Sequence, residues 1–265
     1  MSFEFLMPDA AVSDERFTPV ARTPMQGSAS SAGARFEVRD GWNLAVAYGD
    51  PERGARALAQ TAAWADVSHL GKIEIQAQPD DLSAIVAACA DGAALKLGEA
   101  ARVDHSWWCP LTRSRALVIC EPARLSELRE ALAGAAAEAS GPTSVIEVTT
   151  AFAAMTVLGP LSREVFARFS ALDLRPKVTP IGALRPGSIA RQPAILIHED
   201  QDRFLFLFGW GTAEYIWTVV SDAAESLGGA PVGLDSLPAI AAPGEPDAAP
   251  DQPSNADVEE VASDA

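Results

Sequence analysis

The stretch TAAWADVSHLGKIEIQ, residues 61–76, decides how the chain is folded. Its alanine-rich start reads as the end of a helix that opens at Asp50-Pro51-Glu52. There Asp50 is an N-cap, proline occupies the first turn and an acid faces the helix dipole. That helix is predicted to run to about Ala65. The last part, from Lys72, alternates apolar and polar residues and reads as a strand over 72–77. Between them stand Asp66, Ser68 and His69. A nucleophile–base–orienter set needs side chains that converge, whereas neighbours on an extended segment point apart. No G-x-S-x-G elbow is present. The segment therefore reads as a helix-to-strand junction. Asp66 and Ser68 turn the backbone, Gly71 supplies a permissive dihedral, and His69 is positioned by the junction rather than acting as a base.

Working outward, ARFEVRD (34–40) and NLAVAY (43–48) read as strands joined near Gly41-Trp42. A helix is expected from Asp80-Asp81 to about Ala90, and strands near 93–97 and 115–120. Pro122 opens a helix to about Ala139. SVIEVTT (144–150) and AAMTVLG (153–159) read as a hairpin pair, followed by the helix LSREVFARFSA. A proline-rich connection over 176–187 leads to the strands SIARQPAILIHE and RFLFLFGW. In TAEYIWTVVSDAAESLG, residues Ala213, Ile216, Trp217, Val220, Ala224 and Leu227 share one helical face. Gly228-Gly229 ends that helix as a left-handed cap would. The pattern is α+β with mainly antiparallel strands.

The chain has 265 residues, 48% of them hydrophobic, and a net charge of −16. Residues 238–265 hold seven acids, five prolines and no base. Such a segment cannot bury enough apolar surface to offset its ordering entropy, so a disordered tail is expected. Residues 1–27, with Pro8, Pro19 and Pro24, are expected to form a loosely ordered arm. The intervening 28–237 would be two subdomains with a boundary near 140. Residues 1–237 still carry −9, which argues against nucleic acid as a partner. No apolar run is long enough for a membrane span, and the acidic N-terminus does not read as a signal peptide. Cys89, Cys109 and Cys120 have no metal-ligand spacing, and their low, odd count suits a reducing cytoplasm. No G-x-G-x-x-G or P-loop occurs, so no flavin site is expected in this chain.

The segment DVSHLGKIEI resembles the D-x-S-H-M-G-K element of the aminomethyltransferase family, which includes the T-protein of the glycine cleavage system. RTPM, GARFEVRDGWNLAVAYGDPERGA, MTVLGPLSREVF and GGAPVGLDSL resemble further family elements in the same order, over residues 22–237. The resemblance implies an aminomethyltransferase-like, folate-binding-type fold without the third, barrel-like domain. It also implies tetrahydrofolate as a possible cofactor. Leu70 stands where the family has methionine. Asp104, beside His105, falls where the family's acid pair would, with Ala100 and Ala101 in place of glycines. Glu199, in IHED, is the match to the family's pterin-contact glutamate. Leu70, Asp104 and Glu199 are thus the candidate folate-binding residues, and Asp104 the candidate catalytic one.

This shortened pattern is similar to the gamma subunit of heterotetrameric sarcosine oxidase. That resemblance implies a non-catalytic subunit, without its own cofactor, partnered by flavoprotein subunits. The alternative is a stand-alone folate-binding protein. His105 and His198 are expected to be structural. Trp107-Trp108 suit either a partner surface or the core.

Overall fold

In RFLFLFG, strand β13 (Arg203–Gly209), phenylalanines and leucines alternate and both faces are buried. Side chains on a strand point alternately to its two faces. Phe204, Phe206 and Phe208 enter one core, while Leu205 and Leu207 enter another. This strand fixes the layering of the molecule, of which a computed structural model describes residues 19–238.

β13 lies inside a six-stranded sheet. Its other members are β4 (Ala63–Asp66), β10 (Phe152–Leu158), β11 (Leu184–Ile189), β12 (Gln192–Asp200) and β14 (Ala230–Pro231), in the order β11-β12-β13-β10-β4-β14. A five-stranded sheet has the order β6-β7-β8-β5-β9. It comprises β5 (Gly71–Gln76), β6 (Ala101–Val103), β7 (Ser106–Thr112), β8 (Arg115–Cys120) and β9 (Ser144–Glu147). A third, three-stranded sheet holds β1 (Ala21–Arg22), β2 (Ala34–Arg39) and β3 (Trp42–Tyr48). All named pairings are antiparallel except β1 with β3 and β14 with β4.

The two large sheets face each other across Trp107, Leu117, Ile119, Ile197, Leu205 and Leu207. Helices cover their outer faces. The phenylalanine face of the six-stranded sheet packs on Ile216, Trp217 and Val220 of α6 (Ala213–Glu225), on Val165 and Phe166 of α5 (Ser162–Ala167), and on Ala29 of α1 (Gln26–Ser31). The outer face of the five-stranded sheet, with Ile73, Ile75 and Val118, packs on α3 (Pro79–Cys89) and α4 (Leu125–Ala137). α2 (Pro51–Gln60) is capped as expected, with Asp50 Oδ1 accepting the Arg53 N–H at 3.0 Å.

Several expectations are corrected. α2 stops at Gln60, not Ala65, because Ala63–Asp66 is wholly buried as a strand between β10 and β14. No strand forms at 93–97, where Asp91 and Gly92 take left-handed dihedrals. The strands are β6 and β7 instead. Residues 144–147 and 152–158 do not pair as a hairpin; they enter different sheets. SIARQPAILIHE is two strands, broken at Ala190-Arg191. Prolines do not keep the arm irregular after residue 18, since Ala21-Arg22 pairs with β3, and α1 begins two residues past Pro24. Gly71 has no positive φ. Its role is space: a Cβ there would lie 2.8 Å from Leu125 Cδ1 and 3.0 Å from Cys120 Sγ, so those side chains would have to shift. β9, just past residue 140, completes the five-stranded sheet, while β4 serves the six-stranded one. The expected tail past Pro238 and residues 1–18 of the expected arm lie outside the described residues.

Three hairpins close through two residues that both have positive φ: Asp40-Gly41, Asp104-His105 and Ala190-Arg191. This turn matches strand twist but strains residues other than glycine, asparagine and aspartate. Exposed Arg191, at φ 61°, gives a direct test. Stability in denaturant titration is expected to fall in the order Arg191→Gly, wild type, Arg191→Val, by about 1 kcal/mol across the series. The reverse order would exclude the strained turn.

Candidate functional site

DVSHLGK leaves the six-stranded sheet at Asp66 and enters the five-stranded sheet at Gly71. The chain makes the return crossing beside it, between β9 and β10, through the turn Thr149–Ala151. The two crossings are bonded to one another. Ser68 Oγ accepts the Ala154 N–H at 3.1 Å, and the Val67 N–H donates to the Ala154 carbonyl at 3.0 Å. The Lys72 N–H donates to Thr149 Oγ1 at 3.1 Å, and the Val148 N–H donates to the Lys72 carbonyl at 2.8 Å. Asp66 Oδ1 accepts the Ser68 N–H at 2.9 Å, the turn expected of that pair. Lys72 is fully buried. Its Nζ donates to the carbonyls of Ser68 (2.8 Å), Leu70 (2.9 Å) and Thr149 (3.4 Å), so all three protons are used. Burial pulls the ammonium down to about 7, opposed by Asp66. Burial likewise raises the Asp66 carboxyl, opposed by hydrogen bonds from Thr23 and Ser68.

Where the crossing strands part, they leave a cavity of about 310 Å³. His69 and Leu70 of the junction line it, with Thr156 of β10, Trp107 of β7, Glu199 of β12 and Arg203 of β13. Glu199 is buried and bonded through both oxygens: Trp107 Nε1 donates to Oε1 at 2.9 Å, and Arg203 Nε donates to Oε2 at 3.0 Å. Burial raises its carboxyl; Arg203, Trp107 and Arg102 oppose the shift. The Arg102 guanidinium lies 5.6 Å over the Trp107 ring. Two lining residues hold a buried polar atom without a partner among the described residues, His69 Nδ1 and Thr156 Oγ1. Buried polar groups are rarely left so.

Burial displaces the His69 imidazole and the Glu199 carboxyl toward their neutral forms. Burial, reinforced by Lys72, pushes the His69 imidazole down to about 3, so it is neutral. The Cys120 thiol, at the wall, is pushed up to about 12 by burial. Lys72 is sealed by its carbonyls. Among the described residues no three metal-ligating side chains cluster, and no helix is long and apolar enough to cross a membrane.

No family model and no curated protein sequence matches the chain. Solved structures do. A chain of the heterotetrameric sarcosine oxidase from Corynebacterium sp. U-96, in complex with pyrrole 2-carboxylate, aligns over 78% of this chain and 96% of its own length. The TM-score is 0.61 and the identity 18%. The glycine cleavage system aminomethyltransferase T from Bartonella henselae aligns over 82% of this chain, with a TM-score of 0.66 and 17% identity. The fold is aminomethyltransferase-like. The chain spans 60% of the length of that aminomethyltransferase.

Within this aminomethyltransferase-like fold, Leu70 and Glu199 come together at the cavity, and His105 reaches its wall. Asp104 does not line it. This residue forms the first half of the β6–β7 turn, with φ 47° and an exposed side chain, and Arg124 Nη1 donates to its carbonyl. His198 is buried and stacked on Phe204 at 4.4 Å, between the Thr179 carbonyl and Arg163. Trp107 and Trp108 are both buried, one in the cavity wall and between the sheets, the other under the helices. Thr156 and Arg203 carry no site signal in the sequence, because each sits in an ordinary strand pattern and only the fold brings them to the cavity.

His69 supplies a pH test. An unfolded histidine titrates near 6.5, and His69 near 3. Between those values the unfolded chain binds more protons, so this residue's contribution to stability falls as pH drops from 6.5 toward 3. Asp66 and Glu199, with raised pKa values, act in the opposite direction. The difference between wild type and His69→Asn isolates the histidine. Wild type is expected to lose stability more steeply between pH 6.5 and 4 in denaturant titrations; parallel profiles would contradict a buried, neutral His69.

Proposed function

We propose that the chain is a gamma-type companion subunit of a sarcosine-oxidase-like complex, partnered by flavoprotein subunits and carrying no redox chemistry itself. The observation that carries this reading is the match in extent. The chain spans 96% of one chain of a heterotetrameric sarcosine oxidase, against 60% of the aminomethyltransferase. The cavity's chemistry supports it: Glu199 is held internally by Arg203 and Trp107, His69 is neutral, and the acid candidate Asp104 stands outside. Tagged chain purified from its source is expected to bring flavin-containing subunits with it and to support sarcosine-dependent oxygen uptake. Recovery of the chain alone, colourless and inactive, would overturn the reading.

A second reading, a folate-binding protein, is favoured by the cavity that brings Leu70 and Glu199 to one wall. The cavity is at the small end for ligand sites. It suits the bicyclic ring of tetrahydrofolate, with the rest of the molecule outside. Leu70, Thr156, His69 and Glu199 would hold that ring, which would bring a one-carbon carrier nitrogen to the site. Calorimetric titration with tetrahydrofolate should show binding that weakens at least about tenfold in Leu70→Arg, which would fill the cavity. An unchanged affinity would place any folate elsewhere.

A further inference from the structure

The whole sequence has three lysines. Lys72 is sealed in the junction, and the other two, Lys96 and Lys177, each immediately precede an exposed large hydrophobic residue. Leu97 is 52% exposed and Val178 43%; Ile181 is 58% exposed nearby in sequence. The two segments are drawn together by Arg185, which donates from Nη1 to the Gly98 carbonyl at 2.8 Å and from Nη2 to the Val178 carbonyl at 2.6 Å. A bridge between Glu99 and Ala183 continues the contact. Leu97 also lines an apolar groove of about 420 Å³, with Leu82, Val86, Leu95 and Pro110.

Three of the seven exposed large hydrophobics among the described residues thus stand together. Beside them stand the two exposed lysines among the described residues, Lys177 and Lys96, the latter paired with Glu99, next to a groove deep enough for a side chain. Contiguous exposed apolar surface rimmed by charge marks an interaction site. We infer that this patch docks a protein partner whose surface is apolar with an acidic rim, one apolar side chain entering the groove at Leu97. The partner's acids would meet Lys177 and share Lys96 with Glu99, giving orientation and association rate. A second copy of this chain would bring the same lysines toward each other, and the net charge of −16 disfavours an anionic membrane. This inference rests on the companion-subunit reading for the partner's identity.

The test is lysine acylation followed by mass spectrometry, on the full chain alone and in the complex purified from its source. Lys96 and Lys177 are expected to react in the free chain and be shielded in the complex, with Lys72 unreactive in both. Leu97→Glu with Ile181→Glu, folded by circular dichroism, should weaken the complex about thirtyfold, a hot-spot-sized loss. A complex whose Lys96 and Lys177 stay reactive overturns the surface alone. A chain recovered without partners overturns both it and the companion-subunit reading. Shielding by phosphatidylglycerol vesicles but not by the complex assigns the patch to a membrane and also overturns it.

Discussion

Lys72 brings an ammonium into a fully buried position, and three carbonyls hold it there. Those carbonyls come from both segments that cross between the large sheets: Ser68 and Leu70 from one, Thr149 from the other. A buried charge is tolerated only when its hydrogen-bonding capacity is met. The lysine therefore fixes the path of two chain segments at once. Ser68, bonded to Ala154 through its hydroxyl, adds a second tie at the same level. The sheets share the Leu and Ile layer between them, but that layer is non-directional. The crossing sets their register.

The cavity follows from that crossing. Because the backbone bends out of one sheet at Asp66 and enters the other at Gly71, His69 and Leu70 are carried to the wall of the gap. Gly71 allows it by letting Leu125 and Cys120 close against the backbone. Glu199 and Trp107, from strands of opposite sheets, meet across the same gap. A motif that looks catalytic in sequence thus forms the joint between the two large sheets, with His69 and Leu70 at the cavity wall.

Much of the fold was legible where periodicity had one meaning. α3, α4 and α6 fall where their spacing put them, and Gly228 ends α6 with φ 81°. RFLFLFGW reads as a strand and is one, β13; that both its faces are buried emerges only from the packing. Legibility failed where local preference was overridden. Ala63–Asp66 is built of helix-compatible residues, and only pairing with β10 and β14 makes it a strand. The Ala190-Arg191 turn carries neither glycine nor asparagine, so nothing local announced the break. Of the candidate site, Glu199 and Leu70 were reachable through a motif resemblance. The likeness that puts Asp104 at the family's acid pair carries no sign of the Asp104-His105 hairpin turn. Thr156 and Arg203 depend on inter-sheet geometry alone.

The crossing is tested most directly by hydrogen exchange on Lys72→Met, a change that keeps the side chain's length and removes its three donors. If the lysine ties both sheets, amides of β5 and β8 and those of β4 and β10 should lose protection together, with stability lower by about 3 kcal/mol. Loss confined to the five-stranded sheet, or no loss at all, would show that the apolar layer alone sets the arrangement.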